Sequence, residues 1–371
     1  MSKSTFSRRG FLTSLAAGGA TVAALASPGI AVASADPVVV SNYPLVVPNP
    51  SSARIKIVCT HPSISPPEAE KIRSAGRNVD LVVARDHAIL LKEIVEAEAV
   101  LGGLDAEAVA AAKKLKWIQF TAAGVDELPK EVMAHSSVLT NMQRIYAPVI
   151  AESAIALTLS LTRGLVQDSV PNMKARRWGS SNNIPLTDLY QKTMGIVGLG
   201  GIGSETARRA HYGFEMKILA IDPKPLPKPS FVEELREPAW LLEMVPQVDV
   251  LVSCAPFTKE TAKMFNAAVF NKMKPSAYFI NVSRGGLVDQ EALVDALKSH
   301  QIAGAGLDVT TPEPLPSDHP LWDSPNLVIT PHNSGAAPIR QVRMMAMLAE
   351  NVRRYSNGLP LMNVVDKSRG Y

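Results

Sequence analysis

Gly198, Gly200 and Gly203 form a G-x-G-x-x-G turn directly after the strand-like run Thr193–Val197. In such a turn the first glycine permits the tight bend and the second lets backbone approach a pyrophosphate. The third lets the following helix pack closely on the strand. Ser204–Tyr212 reads as that helix, whose leading N–H groups then face phosphate oxygens. Met216–Ile221 reads as the next strand and ends in Asp222, nineteen residues after Gly203. A carboxylate there accepts hydrogen bonds from the adenosine ribose hydroxyls of a dinucleotide. Gly198, Gly200, Gly201, Ile202, Gly203 and Asp222 are therefore candidate cofactor contacts. An acid at this position repels a 2′-phosphate, which favours NAD over NADP; Lys224 and Lys228 in the next loop weaken that preference. Asp222 before Pro223 also suits an ordinary turn cap, but the strand–turn–helix context favours the nucleotide reading.

A second series follows in order: Asn281-Val282-Ser283-Arg284-Gly285-Gly286, Gly304-Ala305-Gly306-Leu307-Asp308-Val309, Glu313-Pro314 and Thr330-Pro331-His332. Glu313 lies 29 residues after Arg284, and His332 a further 19. In order and spacing these segments resemble the D-isomer-specific 2-hydroxyacid dehydrogenase family. Upstream, Phe120-Thr121-Ala122-Ala123-Gly124-Val125-Asp126 is similar to that family's substrate-carboxylate loop, and Ala151-Glu152 to part of its first interdomain helix. The resemblance covers nearly everything after residue 54. It implies a homodimer that interconverts a small D-2-hydroxy acid and its 2-oxo acid with NAD. It also implies Arg284, Glu313 and His332 as catalytic residues, with Ala123, Gly124, Arg284 and His332 contacting substrate. Asp308 would meet the nicotinamide carboxamide, and Ala255, Pro256, Val282, Ser283 and Arg284 would border the nicotinamide cleft.

The three catalytic candidates suit one device. Arginine presents a planar, permanently charged fork to a carboxylate and its neighbouring carbonyl oxygen. Histidine gives a proton in reduction and takes it back in oxidation. A carboxylate beside the imidazole favours its protonated form and fixes its orientation. Taken singly, each residue type has an ordinary reading as a solvated charge or turn residue. Of the seven histidines, only His332 has this order and spacing. His61, His87, His135, His211 and His300 are assigned to surface or structure, as is His319, which precedes Pro320-Leu321-Trp322 in what looks like a packing segment. No clustered Cys/His ligands, H-E-x-x-H or G-x-S-x-G motif is present, which argues against metal and hydrolase chemistry.

Such residues need a scaffold of parallel strands. From Arg54 onward, short β-branched runs such as Val79–Ala84 and Leu115–Phe120 alternate with helical stretches such as Asp105–Lys114. That alternation predicts an α/β protein with parallel, doubly wound sheets. Two Rossmann-like lobes are expected: a discontinuous substrate domain of residues 54–147 completed by 333–371, and a dinucleotide-binding domain of residues 148–332. The long, nearly uncharged run Ala147–Arg163 is the expected connector, and its Ile150–Leu161 face a candidate dimer contact. Cys59 and Cys254 sit in apolar strand-like runs and read as core thiols.

The 371 residues are 46% hydrophobic and 19% charged, an ordinary globular balance that excludes bulk disorder and coiled coil. Lys3, Arg8 and Arg9 account for three of the four net positive charges, so the remainder is nearly neutral and shows no nucleic-acid footprint. Arg8-Arg9-Gly10-Phe11-Leu12, an uncharged Ala/Gly-rich stretch and Ala33-Ser34-Ala35 resemble a twin-arginine export signal over residues 1–35, with Thr13 where that pattern often has lysine. The resemblance implies delivery by twin-arginine (Tat) export machinery to a bacterial periplasm, or a membrane anchor if the signal stays uncleaved. Residues 36–53, rich in proline, read as an extended linker. A dinucleotide-sensing corepressor-like binding protein is the rival from another class; oxidation of formate or another small anion is a rival on the same fold. The export signal argues against the corepressor.

Overall fold

The computed structural model describes residues 54–179 and 186–371. The export signal and linker expected at residues 1–53 lie outside the described residues. Five strands form the first sheet: β1 (Ile55–Cys59), β2 (Val79–Val83), β3 (Ala99–Leu101), β4 (Trp117–Gln119) and β5 (Val138–Thr140), in the order β2-β1-β3-β4-β5. Seven form the second: β6 (Thr193–Val197), β7 (Lys217–Ile221), β8 (Glu234–Arg236), β9 (Val250–Ser253), β10 (Tyr278–Asn281), β11 (Gly304–Leu307) and β12 (Leu327–Ile329). Their order is β12-β11-β10-β9-β6-β7-β8. All pairings within both sheets are parallel. The molecule thus carries two Rossmann-like α/β domains.

The central strands are apolar at consecutive positions because crossover helices cover both faces of a parallel sheet. Val250, Leu251 and Val252 of β9 and Tyr278, Phe279 and Ile280 of β10 are all buried. Side chains that accept from free N–H groups start the helices: Asp105 caps at Ala108 and Asp289 at Ala292, each cap contributing about 1 kcal/mol.

The first lobe is completed from the far end of the sequence. The helix Ile339–Ser356 buries Met344, Met345, Leu348, Val352 and Tyr355 against the first sheet. Tyr355 stacks on Trp117 of β4 with ring centroids 5.2 Å apart. Asn351 donates to the Gln119 side chain at 2.7 Å, so this interface also has a buried polar lock. Beyond the helix, Val364 bridges antiparallel to Thr140 at the β5 edge.

The connector helix Ala147–Thr162 starts with Pro148 in its first turn and is followed by Gly164 in the left-handed region, φ 60°. It lies directly on β11. A Cβ at Gly306 would come within 2.9 Å of Leu157 Cβ, and one at Gly304 within 3.3 Å of Leu161. Helix–sheet packing thus explains Gly306, whereas at Gly304 the tightest neighbour is the Asn326 carbonyl oxygen, 2.7 Å from where a Cβ would stand. The same contact alters the expected dimer face: Ala151, Ala154, Leu157, Thr158 and Leu161 are buried within the chain and are not available to a partner. Exposed apolar side chains lie farther on, at Leu165, Val166, Met173 and Trp178. Among the described residues, no single helix is long and apolar enough to cross a membrane.

Two helices differ in extent from expectation. The one predicted over Ser204–Tyr212 spans Gly201–Phe214, so it begins inside the glycine motif. The one predicted over Asp105–Lys114 is Ala106–Ala111, because Ala112 turns to an extended conformation.

Candidate active site

Parallel order brings the C-terminal ends of the second sheet's strands to one rim, where open α/β sheets bind ligands. Along that rim, His332 follows β12, Asp308 and Glu313 follow β11, and Arg284 follows β10. Ala255 and Pro256 follow β9, Gly198–Gly203 follow β6, and Asp222 follows β7. The catalytic candidates therefore sit past three neighbouring strands at one end, together with Val282, Ser283 and Asp308, and the remaining nucleotide candidates past the next three.

The glycine turn divides its glycines by role. Gly198 has φ 90°, and a Cβ there would lie 2.8 Å from Ala255 Cα; one at Gly203 would collide with the Gly198 carbonyl oxygen. Protein atoms thus account for both. At Gly200 nothing lies within 4 Å of the same position. This open cradle, beside a helix whose first N–H groups lack intrahelical acceptors, fits a pyrophosphate. Ile202 is half-buried in that first turn. Arg144, itself at φ 72°, lies against Gly201, its Cγ 2.9 Å from where a Cβ would stand. Sequence reasoning missed this cation.

Asp222 is buried. One carboxylate oxygen accepts from Leu199 N–H at 2.8 Å and the other from Lys224 N–H at 2.8 Å. Burial pushes its carboxyl pKa up, and those two N–H groups oppose the shift. The acid therefore ties the glycine turn to the β7 loop. Across β9, Ala255 is buried and Pro256 exposed. Val282 and Ser283 are buried, and Ser283 Oγ lies 2.8 Å from Ser253 Oγ. Of the two cysteines, Cys59 is buried, and burial pushes the Cys254 thiol up to about 12, with Thr206 hydrogen-bonded to it.

Arg284 sits on a turn stitched by Asn281, which is fully buried at the end of β10. Its amide donates to the Arg284 carbonyl at 2.9 Å, while its oxygen accepts from Ser283 N–H and Oγ–H. The guanidinium crosses to the first lobe. Nε donates to Asp126 Oδ2 at 3.1 Å and Nη1 to the Ser283 carbonyl at 2.9 Å. Nη2 packs over Gly124, where any Cβ would overlap it. Gly124 is thus required for the arginine to reach its place. Among the described residues, no acceptor is bonded to the Ala123 or Gly124 N–H. Two backbone donors without acceptors thus lie at the loop that the guanidinium packs over, a set of groups suited to a carboxylate.

His332 Nδ1 lies 2.7 Å from Glu313 Oε2. Glu313 Oε1 accepts from Thr310 N–H at 3.0 Å, and Gln290 holds Thr311 through both its N–H and its carbonyl, fixing the loop that presents the acid. His332 has φ 49°, a left-handed conformation costing about 1–2 kcal/mol. Asp308 offsets that cost. Buried at the end of β11, its carboxylate accepts from Thr330 Oγ, Asn333 N–H and Ser334 N–H, and its carbonyl accepts from His332 N–H. Its carboxylate is thus engaged in shaping the histidine loop, a role the sequence reading did not anticipate. The His332 side chain remains substantially exposed. No hydrogen bond joins Arg284 to His332; they face the cleft from positions two strands apart. His319, by contrast, accepts from Leu321 N–H and caps a short turn.

Asp126 and Asn281 are the polar neighbours of Arg284 that sequence reasoning passed over. Asp126 stands 158 residues from its arginine, and the available signal was an unexplained acid two positions after Gly124.

Residues 155–334 match the sequence profile of the D-isomer specific 2-hydroxyacid dehydrogenase family, NAD binding domain. The chain is 34% identical over 288 residues to a glyoxylate reductase of Korarchaeum cryptofilum, covering 75% of this chain and 86% of that protein. It is 35% identical over 279 residues to a glyoxylate/hydroxypyruvate reductase B of Klebsiella pneumoniae, covering 73% and 85%. Among solved structures it resembles an NADPH-dependent glyoxylate/hydroxypyruvate reductase of Sinorhizobium meliloti, with TM-score 0.68, 29% identity, and coverage of 85% of this chain and 98% of that one. With the ordered rim, the glycine cradle and the paired histidine in place, these similarities lead to one conclusion: the chain belongs to the D-isomer specific 2-hydroxyacid dehydrogenase family.

Proposed function

We propose that this chain is an NAD-dependent dehydrogenase that interconverts a small D-2-hydroxy acid and its 2-oxo acid. The observation carrying this is the His332–Glu313 pair at 2.7 Å, on the same rim as a guanidinium beside two unbonded backbone N–H groups. In this reading the Ala123 and Gly124 N–H groups and Arg284 hold the substrate carboxylate, and Arg284 also polarises the 2-oxo oxygen. His332 Nε2 delivers the proton to that oxygen in reduction and removes it in oxidation. Glu313 orients the ring through its contact with Nδ1. Bound nicotinamide supplies or accepts the hydride. Gly198–Gly203 would hold its pyrophosphate and Asp222 its adenosine ribose. Ala255, Pro256, Val282 and Ser283 would border its ring.

Exposed Leu165, Val166, Met173 and Trp178 support a homodimer, measurable by light scattering. Residues 1–35 direct twin-arginine export in this proposal. Cell fractionation of an Arg8→Lys/Arg9→Lys variant tests it, since cytoplasmic retention is expected and unaltered export would refute it.

The decisive test is to follow reduced-nicotinamide absorbance with a panel of 2-oxo acids and both nucleotides. Oxidation of NADH by at least one small 2-oxo acid is expected. No turnover with any acid would refute the activity, and a preference for NADPH would refute the choice of NAD.

A further inference from the structure

Lys224 and Lys228 follow Asp222 and are the basic side chains of its loop. Lys228 Nζ donates to the Val232 carbonyl at 2.7 Å and is committed to its own loop. Lys224 Nζ instead stands 4.2 Å from the centre of the Tyr371 ring. Tyr371 belongs to a segment built on the opposite lobe. Lys367 Nζ donates to the His135 and Ser137 carbonyls at 2.6 and 2.8 Å, and Val365 N–H donates to the Leu139 carbonyl at 2.8 Å. From that anchor the chain turns back, with Asp366 Oδ1 accepting from Ser368 and Arg369 N–H and Asp366 N–H donating to the Tyr371 carbonyl at 3.1 Å. The first lobe thus places an aromatic face over the lysine at the proposed ribose end of the nucleotide rim, and both groups are half-buried.

An ammonium held over a π face and beside Asp222 has its charge already engaged. A 2′-phosphate would have to draw it off that face, whereas ribose with a free 2′-hydroxyl makes no such demand. We propose that Tyr371 is a specificity-determining residue for the nucleotide, restraining Lys224 so that this lysine is not offered to a 2′-phosphate beside Asp222. Arg369, hydrogen-bonded to Tyr371, is held at the same place. The inference rests on the dehydrogenase reading and extends it to how the choice of nucleotide is made.

Direct binding tests it without turnover. NADH and NADPH are titrated by nicotinamide fluorescence into the full chain and into Tyr371→Ala, Tyr371→Phe and Tyr371→Ala/Lys224→Gln variants. In Tyr371→Ala, the ratio of the NADPH Kd to the NADH Kd should fall about three- to ten-fold, the scale of a partly desolvated cation–π contact. Tyr371→Phe keeps the ring and loses only the hydroxyl that bonds Arg369; it should keep the parent ratio, which also shows that substitution at this position leaves the fold intact. Lys224→Gln in the Ala background should restore the preference for NADH. An unchanged ratio in Tyr371→Ala would overturn the proposal, whether both affinities stay the same or weaken together. A parent chain that binds neither nucleotide would instead overturn the dehydrogenase reading itself.

Discussion

Asp126→Ala separates two effects that the geometry sets against each other. The carboxylate accepts the Arg284 Nε–H at 3.1 Å, with the two side chains 30% and 20% exposed in the order Arg284, Asp126. A hydrogen bond to a charged group contributes about 1.5–3 kcal/mol. Partial exposure puts this one near the lower end, about 1.5–2 kcal/mol. Its loss frees the guanidinium to rotate about its remaining bond to the Ser283 carbonyl. Removing the carboxylate also removes a negative charge close to where a substrate anion would bind. The substrate carboxylate keeps its charge throughout the reaction, so the relieved repulsion acts equally on ground and transition states and appears in KM. Misplacement of the guanidinium acts on the developing charge of the carbonyl oxygen and appears in kcat. At about 1.4 kcal/mol per decade, kcat should fall about ten- to thirty-fold, while KM for the 2-oxo acid stays level or drops. Steady-state kinetics with saturating NADH read both. A kcat equal to the parent's, or a raised KM with kcat intact, would show that Asp126 does not position the arginine.

Gly200→Ala and Gly203→Ala should part company. The first adds a methyl to open space and should leave Tm unchanged while weakening NADH binding at least about ten-fold, because the methyl occupies the phosphate cradle. The second collides with the Gly198 carbonyl and should lower stability by about 2 kcal/mol or more, seen as a depressed melting midpoint. His332→Asn should leave the NADH Kd within about two-fold and reduce kcat by at least about a hundred-fold, the usual scale of general acid catalysis; retained turnover would end its assigned role. Asp308→Asn keeps the size but turns one acceptor of the Thr330, Asn333 and Ser334 donors into a donor itself. It should lower kcat about ten-fold or more through a displaced His332, with fluorescence titration showing NADH still bound.

Legibility followed the distance between partners in sequence. The glycine turn was readable because its strand, bend and helix are contiguous, and Asp222 followed after one further helix and strand. His332 and Glu313 were readable as a pair because the 19-residue interval spans only the β11 loop and β12. Arg284 was found without Asp126, since that pairing exists only after two lobes meet. The helix start at Gly201 was misjudged because glycine has poor helix propensity, yet a first turn packed on Arg144 and Ala147 tolerates it. Asp308 was recognised from its segment and expected near the nicotinamide; its further role at the histidine loop was hidden, because nothing local shows three donors converging on it from residues 330–334. The packing role of Gly306 was equally hidden, as the helix that rests on it lies more than 140 residues earlier.

Strand order also sets the size of what the site can hold. Neighbouring parallel strands lie about 4.8 Å apart, so the ends of β12 and β10 are about 10 Å apart and those of β10 and β7 about 14 Å. The first interval separates the backbones that carry His332 and Arg284. His332 stays at that rim beside Glu313, while the Arg284 guanidinium reaches across to Asp126 and Gly124 of the other lobe. The second interval carries Ala255, Pro256 and the glycine cradle, and is suited to an extended dinucleotide lying along the rim. The order β12-β11-β10-β9-β6-β7 thus places His332 and Arg284 toward one end of the rim and Asp222 at the other. Arg284 is the hinge of that arrangement, because its backbone belongs to the nucleotide lobe and its Nε is bonded to the other. A substrate held by Arg284, Ala123 and Gly124 is gripped by both lobes at once, so the binding geometry is complete only when they are together.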